Sequence, residues 1–340
     1  MSSKVPGTDI EGDELEKAKR TLDKHKDRLL AIPDCTGVGI GLKKVKGEQT
    51  KQLAIVICVK KKLPHPPAEY QIPKDLEGVA TDVVEQEERG FELIATDPFA
   101  RFDTLFSGIS VTPWEAPPPW GTIGCFITTP GFPVHRVPRG DYLLTCQHVL
   151  QAATPPTDSQ VVIQPKYDGM IPPNNYACAD YVYGVQDPLH DCAIALVTYG
   201  RGLQNEVPNY PWYPGRRDIV GVAAAAPGQA VYKYGATSKF TKGTVTMINY
   251  NPLGLNYQNV TVINSDGGQN YVWVAKGDSG SVTILQSNDM AIGLNFAGSP
   301  AAVMPSPPHL PAYPAYYSGF AYDLQSQMDA FSATGGVVLA

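Results

Sequence analysis

The sequence contains no apolar run long enough to cross a bilayer. The longest, 54–59 and 219–226, fall far short of the roughly 20 residues a spanning helix needs. No apolar leader follows Met1-Ser2-Ser3-Lys4; the residues after it are charged. A soluble, cytoplasmic protein with no membrane partner is therefore expected. The charge balance is only mildly one-sided, at a formal −6, which gives no reason to expect nucleic acid as a partner. No Cys-x-x-Cys and no His/Cys metal spacing occurs, and His190-Asp191-Cys192 does not make such a pattern, so metal: none and cofactor: none. The Gly-Val-Gly-Ile-Gly run at 37–41 lacks dinucleotide spacing and a following helix, which removes a nucleotide fold. Cysteine itself is sparse. Its six positions (35, 58, 125, 146, 178, 192) lie mostly in apolar, strand-like runs and read as buried reduced thiols.

Glycine (32) and proline (31), by contrast, are plentiful in the 340 residues, and they break the apolar segments into short pieces. That pattern favours strands joined by turns over a helical bundle. A helix is expected only near the ends. Residues 13–32 carry Leu15, Leu22 and Leu29 at a seven-residue repeat, with Asp13–Lys17 and Glu16–Arg20 as supporting pairs and Pro33 as the stop. Residues 322–331 read as a closing helix. Between Pro33 and residue 85 the pattern predicts a hairpin (37–42 with 53–59) and one more strand at 79–85. The first 62 residues hold 14 basic and 9 acidic side chains, a basic face suited to solvent or to docking on the acidic remainder. From Ser107 onward, regularly spaced short strands argue for barrels or a sandwich. The Tyr- and Pro-rich stretch 300–317 reads as an insertion, either a cleft wall or a surface loop.

Chemistry concentrates in three places. Lys276-Gly277-Asp278-Ser279-Gly280-Ser281 sets a serine between glycines, after an aspartate, between apolar flanks. A serine hydroxyl becomes a useful nucleophile only on a tight turn beside a base, and glycines permit such a turn. Tyr142 to Thr145 reads as a buried strand running into a turn that carries His148. Asp191 opens the apolar segment Asp191-Cys192-Ala193-Ile194-Ala195. Alone, a histidine or a carboxylate at a strand end most often serves the core. The order His148, Asp191, Ser279 changes that reading, because it is one of three known orders of a serine triad.

Thr145-Cys146-Gln147-His148-Val149, Asp191-Cys192-Ala193-Ile194-Ala195 and Gly277-Asp278-Ser279-Gly280 resemble the three signature blocks of the trypsin-like (chymotrypsin-clan) serine peptidases. The Gly-rich strand, apolar strand and Lys-Lys-Leu-Pro ahead of them are similar to a bacterial intracellular subgroup with an N-terminal α/β domain. The resemblance implies a mostly β fold: a chymotrypsin-like double β-barrel over 99–340, behind a smaller α/β domain over 1–98, with a C-terminal helix. It implies Ser279 as nucleophile, His148 as base, Asp191 as the group orienting the imidazole, and the amides of Gly277 and Ser279 as oxyanion hole. Phe296, Ala297 and Gly298 would meet the substrate backbone, although a core strand ending in a Gly turn fits them equally. Trp273 stands where relatives that cut after Lys or Arg keep an aspartate, so it is expected in the substrate pocket without implying a basic cleavage site. Val149 replaces the cysteine that secreted relatives place after the histidine. No Ile/Val-rich activation start follows a basic residue, so Asp278 is expected to find another partner. The implied function is a serine endopeptidase acting on a protein or peptide substrate, with a homo-oligomer or regulatory partner engaged through the N-terminal domain. The alternative is a latent or inactive protease-fold scaffold.

Overall fold

The computed structural model describes residues 4, 10–45, 48–62, 70–85, 101–114, 120–129, 138–151, 161–165, 174–207, 217–253, 255–266, 272–299, 315–331 and 338–339. The helix predicted from the leucine repeat spans Gly12–Leu30 and buries Leu15, Ala18, Leu22 and Leu29 on one face. Asp13 and Glu14 in its first turn and Arg28 in its last suit the helix dipole. Glu16 pairs with Lys19 at 3.0 Å. The strands Cys35–Val45 and Glu48–Val59 form the expected antiparallel hairpin, and Val79–Glu85 lies parallel to the second of them.

This module shares a sheet with a strand from much later in the chain. Cys35–Val45 also pairs with Lys239–Pro252, setting Ile40 opposite Ile248 and Gly41 opposite Met247. The glycine run at 37–41 has its explanation here. A methyl on Gly37 would lie 2.4 Å from the Tyr250 ring, and one on Gly41 would lie 2.7 Å from the Thr246 carbonyl. Only glycine lets the two strands approach this closely. Leu22, Ile40, Ile55 and Ile57 accordingly share one apolar cluster with Val245, Ile248, Ile263 and Trp273. The expected domain boundary at 98/99 lies outside the described residues.

Lys239–Pro252 belongs to a closed six-stranded barrel. Its order is Ala230–Gly235, Val282–Leu285, Met290–Ser299, Ser318–Asp323, Val260–Ser265, Lys239–Pro252 and back to the first. The other barrel is built from Cys125–Thr129, Gly140–Thr145, His190–Val197, Ala177–Asp187, Val161–Ile163, Ser110–Pro113 and Gly121–Thr122. It has no closing pair among the described residues, so it is a half-barrel rather than a second six-stranded closed one. Its last strand is two residues long and turns toward the neighbouring barrel, where the Thr122 amide donates to the Ser279 carbonyl at 2.8 Å. The fold is thus the chymotrypsin-like double β-barrel with an α/β module ahead of it. The C-terminal helix is shorter than expected, Leu324–Asp329, because Ser318–Asp323 is the sixth barrel strand and Asp323 caps the helix, accepting from the Ser326 amide at 2.8 Å. Of the 300–317 insertion, 300–314 lies outside the described residues, while Ala315–Tyr316 pairs with Val274–Ala275.

Candidate active site

His148 is carried out of the first barrel's core by the strand Gly140–Thr145, which passes through extended Cys146 into the single helical turn Gln147–Leu150. Asp191 lies on the adjacent strand His190–Val197 and is 2 % exposed. Its two oxygens hold the histidine twice. Oδ1 accepts from the His148 amide at 3.1 Å and Oδ2 pairs with Nδ1 at 2.5 Å. With Nδ1–H directed at the carboxylate, Nε2 is the lone-pair nitrogen of the neutral ring. Nε2 is buried and has no hydrogen-bond partner among the described residues. Behind the pair, Gln327 of the C-terminal helix accepts from the Asp191 amide at 3.0 Å and donates to Leu189 O at 3.1 Å. A helix of the far end of the chain therefore fixes the carboxylate's strand.

Ser279 comes from the second barrel, on the turn after Val274–Ala275. Gly277 and Gly280 on either side both have φ +94°. A methyl at Gly277 would lie 2.2 Å from the Trp120 ring, and one at Gly280 would lie 2.0 Å from Thr145 Oγ1, so conformation and space each demand glycine. Thr122 Oγ1 donates to the Gly277 carbonyl at 2.6 Å. On the same turn the amides of Asp278 and Gly280 donate to Ala275 O and Asn295 O, whereas those of Gly277 and Ser279 have no acceptor among the described residues. Ser279 Oγ donates to the Phe296 carbonyl at 3.2 Å.

Asp278 has the partner that the absent activation start left open: Lys233. Its ammonium sits 2.9 Å from Oδ2, and neither side chain is more than 1 % exposed. Asp278 also accepts from the amides of Ala275 (2.8 Å), Thr237 (3.0 Å) and Ser238 (3.0 Å). Burial pushes the Lys233 ammonium below its ordinary pKa, and the carboxylate opposes that shift.

Cys146 Sγ, His148 and Asp191 bring their ligand atoms within 4.8 Å of one another, a spacing that would suit a metal ion. The imidazole and carboxylate already bind each other, however, and the thiol donates to Asn295 O at 3.3 Å. Burial, with Asp191 nearby, holds the Cys146 pKa well above its ordinary value. The cluster therefore reads as a histidine–carboxylate pair backed by an inert thiol.

The expected substrate residues divide. Phe296, Ala297 and Gly298 line a narrow cleft beside Ser279, together with Val274 to Lys276, Asn295 and Tyr316. Phe296 contributes its backbone, since its ring is buried between Tyr257 (4.8 Å) and Tyr322 (4.4 Å). Trp273 does not reach the cleft. It is fully buried, its ring 5.5 Å from Lys233 Nζ and packed on Gly319, and its backbone is held by a hydrogen bond from its amide to Tyr316 O. Tyr316 belongs to the stretch expected as a cleft wall or a surface loop, and it lines the cleft, whereas nothing in the sequence marked Lys233, Gln327 or Tyr257 for the site. Only the lysine left a local trace, as a lone charge inside the apolar segment 230–235.

The chain thus sets a histidine–carboxylate pair on one half of a chymotrypsin-like double barrel and a glycine-flanked serine on the other, and in this it resembles the trypsin-like serine peptidases. No family model matches it. Glutamyl endopeptidase 2 of Streptomyces griseus is 35% identical over 116 residues, 34% of this chain and 57% of that protein. The chain thus spans just over half the length of the curated relative it matches. Among solved structures, the chymotrypsin of Cellulomonas bogoriensis is 17% identical, with TM-score 0.46 over 69% of this chain and 97% of that one. Protease A of Thermobifida fusca is 15% identical, with TM-score 0.47 over 70% and 98%.

Proposed function

We propose that the chain is a serine endopeptidase that hydrolyses peptide bonds through an acyl-enzyme on Ser279. The observation that carries this is the bare, buried Nε2 of His148, held by Asp191 through Nδ1. In the proposed reaction Ser279 Oγ turns from the Phe296 carbonyl toward Nε2, gives up its proton and attacks the scissile carbonyl. The developing oxyanion takes the amides of Gly277 and Ser279, which have no acceptor of their own among the described residues; one such donor is worth roughly 3 kcal/mol in the barrier. The imidazolium, steadied by Asp191, then protonates the leaving amine. Water repeats the sequence to release the acid. Because Lys233 occupies the place of an activating partner for Asp278, the turn needs no chain cleavage to form. A cytoplasmic location, supported by six buried free thiols, and a docking role for the N-terminal module belong to the same proposal.

The rival, a latent or scaffold form, has one observation in its favour: the serine hydroxyl is bonded to Phe296 rather than to the histidine. Reaction with a fluorophosphonate, read as intact mass, separates them. A single adduct on wild type and none on Ser279→Ala supports the enzyme. Folded wild type that stays unmodified refutes it.

A further inference from the structure

The cleft beside Ser279 is shaped by what closes it. Val274–Ala275 and Ala315–Tyr316 pair directly, with Val274 opposite Tyr316, so two walls of the slot are bonded together. The third wall is equally close. A methyl on Gly298 would lie 2.4 Å from the Tyr316 ring and 2.9 Å from a Val274 methyl. Val274 and Tyr316 are 4 % and 2 % exposed, and their backing, Trp273, is fully buried. The space between these walls, open to solvent on one side, has room for only one or two water-sized groups. It also offers no free carboxylate among the described residues, since both oxygens of Asp278 are committed to Lys233 and three backbone amides. Lys276 is the only cation of this wall among the described residues, and it stands half-buried.

We propose that this slot takes the side chain on the acyl side of the scissile bond, that it admits only small uncharged ones such as alanine, serine or glycine, and that Tyr316 sets the limit. The proposal rests on the endopeptidase reading. A long chain, glutamate included, finds no room to enter, and a basic one finds no counter-charge for its desolvated cation. Tyr316 is therefore a specificity-determining residue rather than a catalytic one.

The test uses the full chain and four peptidyl diphenyl phosphonates that differ only in that residue: alanine, phenylalanine, glutamate and lysine. A plain fluorophosphonate serves as reference. Wild type should react with the alanine probe at least tenfold faster than with the other three. Tyr316→Ala should raise the phenylalanine rate at least tenfold relative to the alanine rate, while Tyr316→Phe keeps the wild-type ranking. Fastest reaction of wild type with the phenylalanine, glutamate or lysine probe overturns the proposal, whether or not the variant folds. A well-folded Tyr316→Ala protein with the wild-type ranking overturns the role of Tyr316. If wild type ignores even the plain fluorophosphonate, the endopeptidase reading itself falls, and this inference with it.

Discussion

Replacing Lys233 by methionine keeps most of the side chain's length and packing and removes its charge, with its hydrogen bonds to Asp278 and Ser238 Oγ. Asp278 would then be a buried carboxylate without a counter-ion, for which losses of about 3–5 kcal/mol are typical. Three backbone amides still bond it, so the low end of that range applies, roughly 3 kcal/mol or a hundredfold or more in the folding equilibrium. The turn has a cheaper escape than global unfolding, namely to swing Asp278 toward water. That would displace Gly277 and Ser279, whose positions depend on the same turn. Urea unfolding combined with fluorophosphonate labelling distinguishes these routes, and both should show loss. A Lys233→Met, Asp278→Asn double variant should recover much of the stability without recovering labelling. Lys233→Met that unfolds within about 1 kcal/mol of wild type and labels at the wild-type rate would refute the reasoning.

Asp191→Asn should leave stability within about 1 kcal/mol yet slow fluorophosphonate labelling by about 10⁴-fold, because an amide facing Nδ1 forces the wrong tautomer. Gly277→Ala places a methyl against Trp120 at φ +94°, and urea unfolding should show a loss of at least about 2 kcal/mol together with loss of labelling. Because the N-terminal module and the second barrel share a sheet and a core, calorimetry should give one transition for those two parts. Gly37→Val, crowding Tyr250, should lower it as a whole rather than split off a separate module melt.

Much of the site was legible because its signals are local. The glycines around Ser279 are demanded by positive φ and by contacts that leave no room for a Cβ. The strand ends that carry His148 and Asp191 announce themselves by apolar runs that stop abruptly. The order of the three blocks then singled out one triad topology. The helix at 12–30 and the hairpin after it were legible for the same reason, a repeat matched to a single secondary structure. The expectation of Trp273 in the pocket failed because counting back from the serine assumes a fixed turn geometry, whereas Trp273 is fully buried in the core, its amide hydrogen-bonded to Tyr316 O.

What the sequence determined by itself is therefore local pattern: a serine set between glycines, a histidine and a carboxylate at the ends of apolar strands, and that strands dominate. Tertiary structure alone decided that Lys233 neutralises Asp278, that Gln327 braces Asp191 from 136 residues away, and that Tyr316 closes the slot. The same holds for the glycine run, whose purpose appears only where it meets Tyr250 across the sheet. A lysine, a glutamine or a tyrosine has no periodic signature of such a role. Its partner is chosen by how two barrels and a module pack, and that is a property of the whole chain.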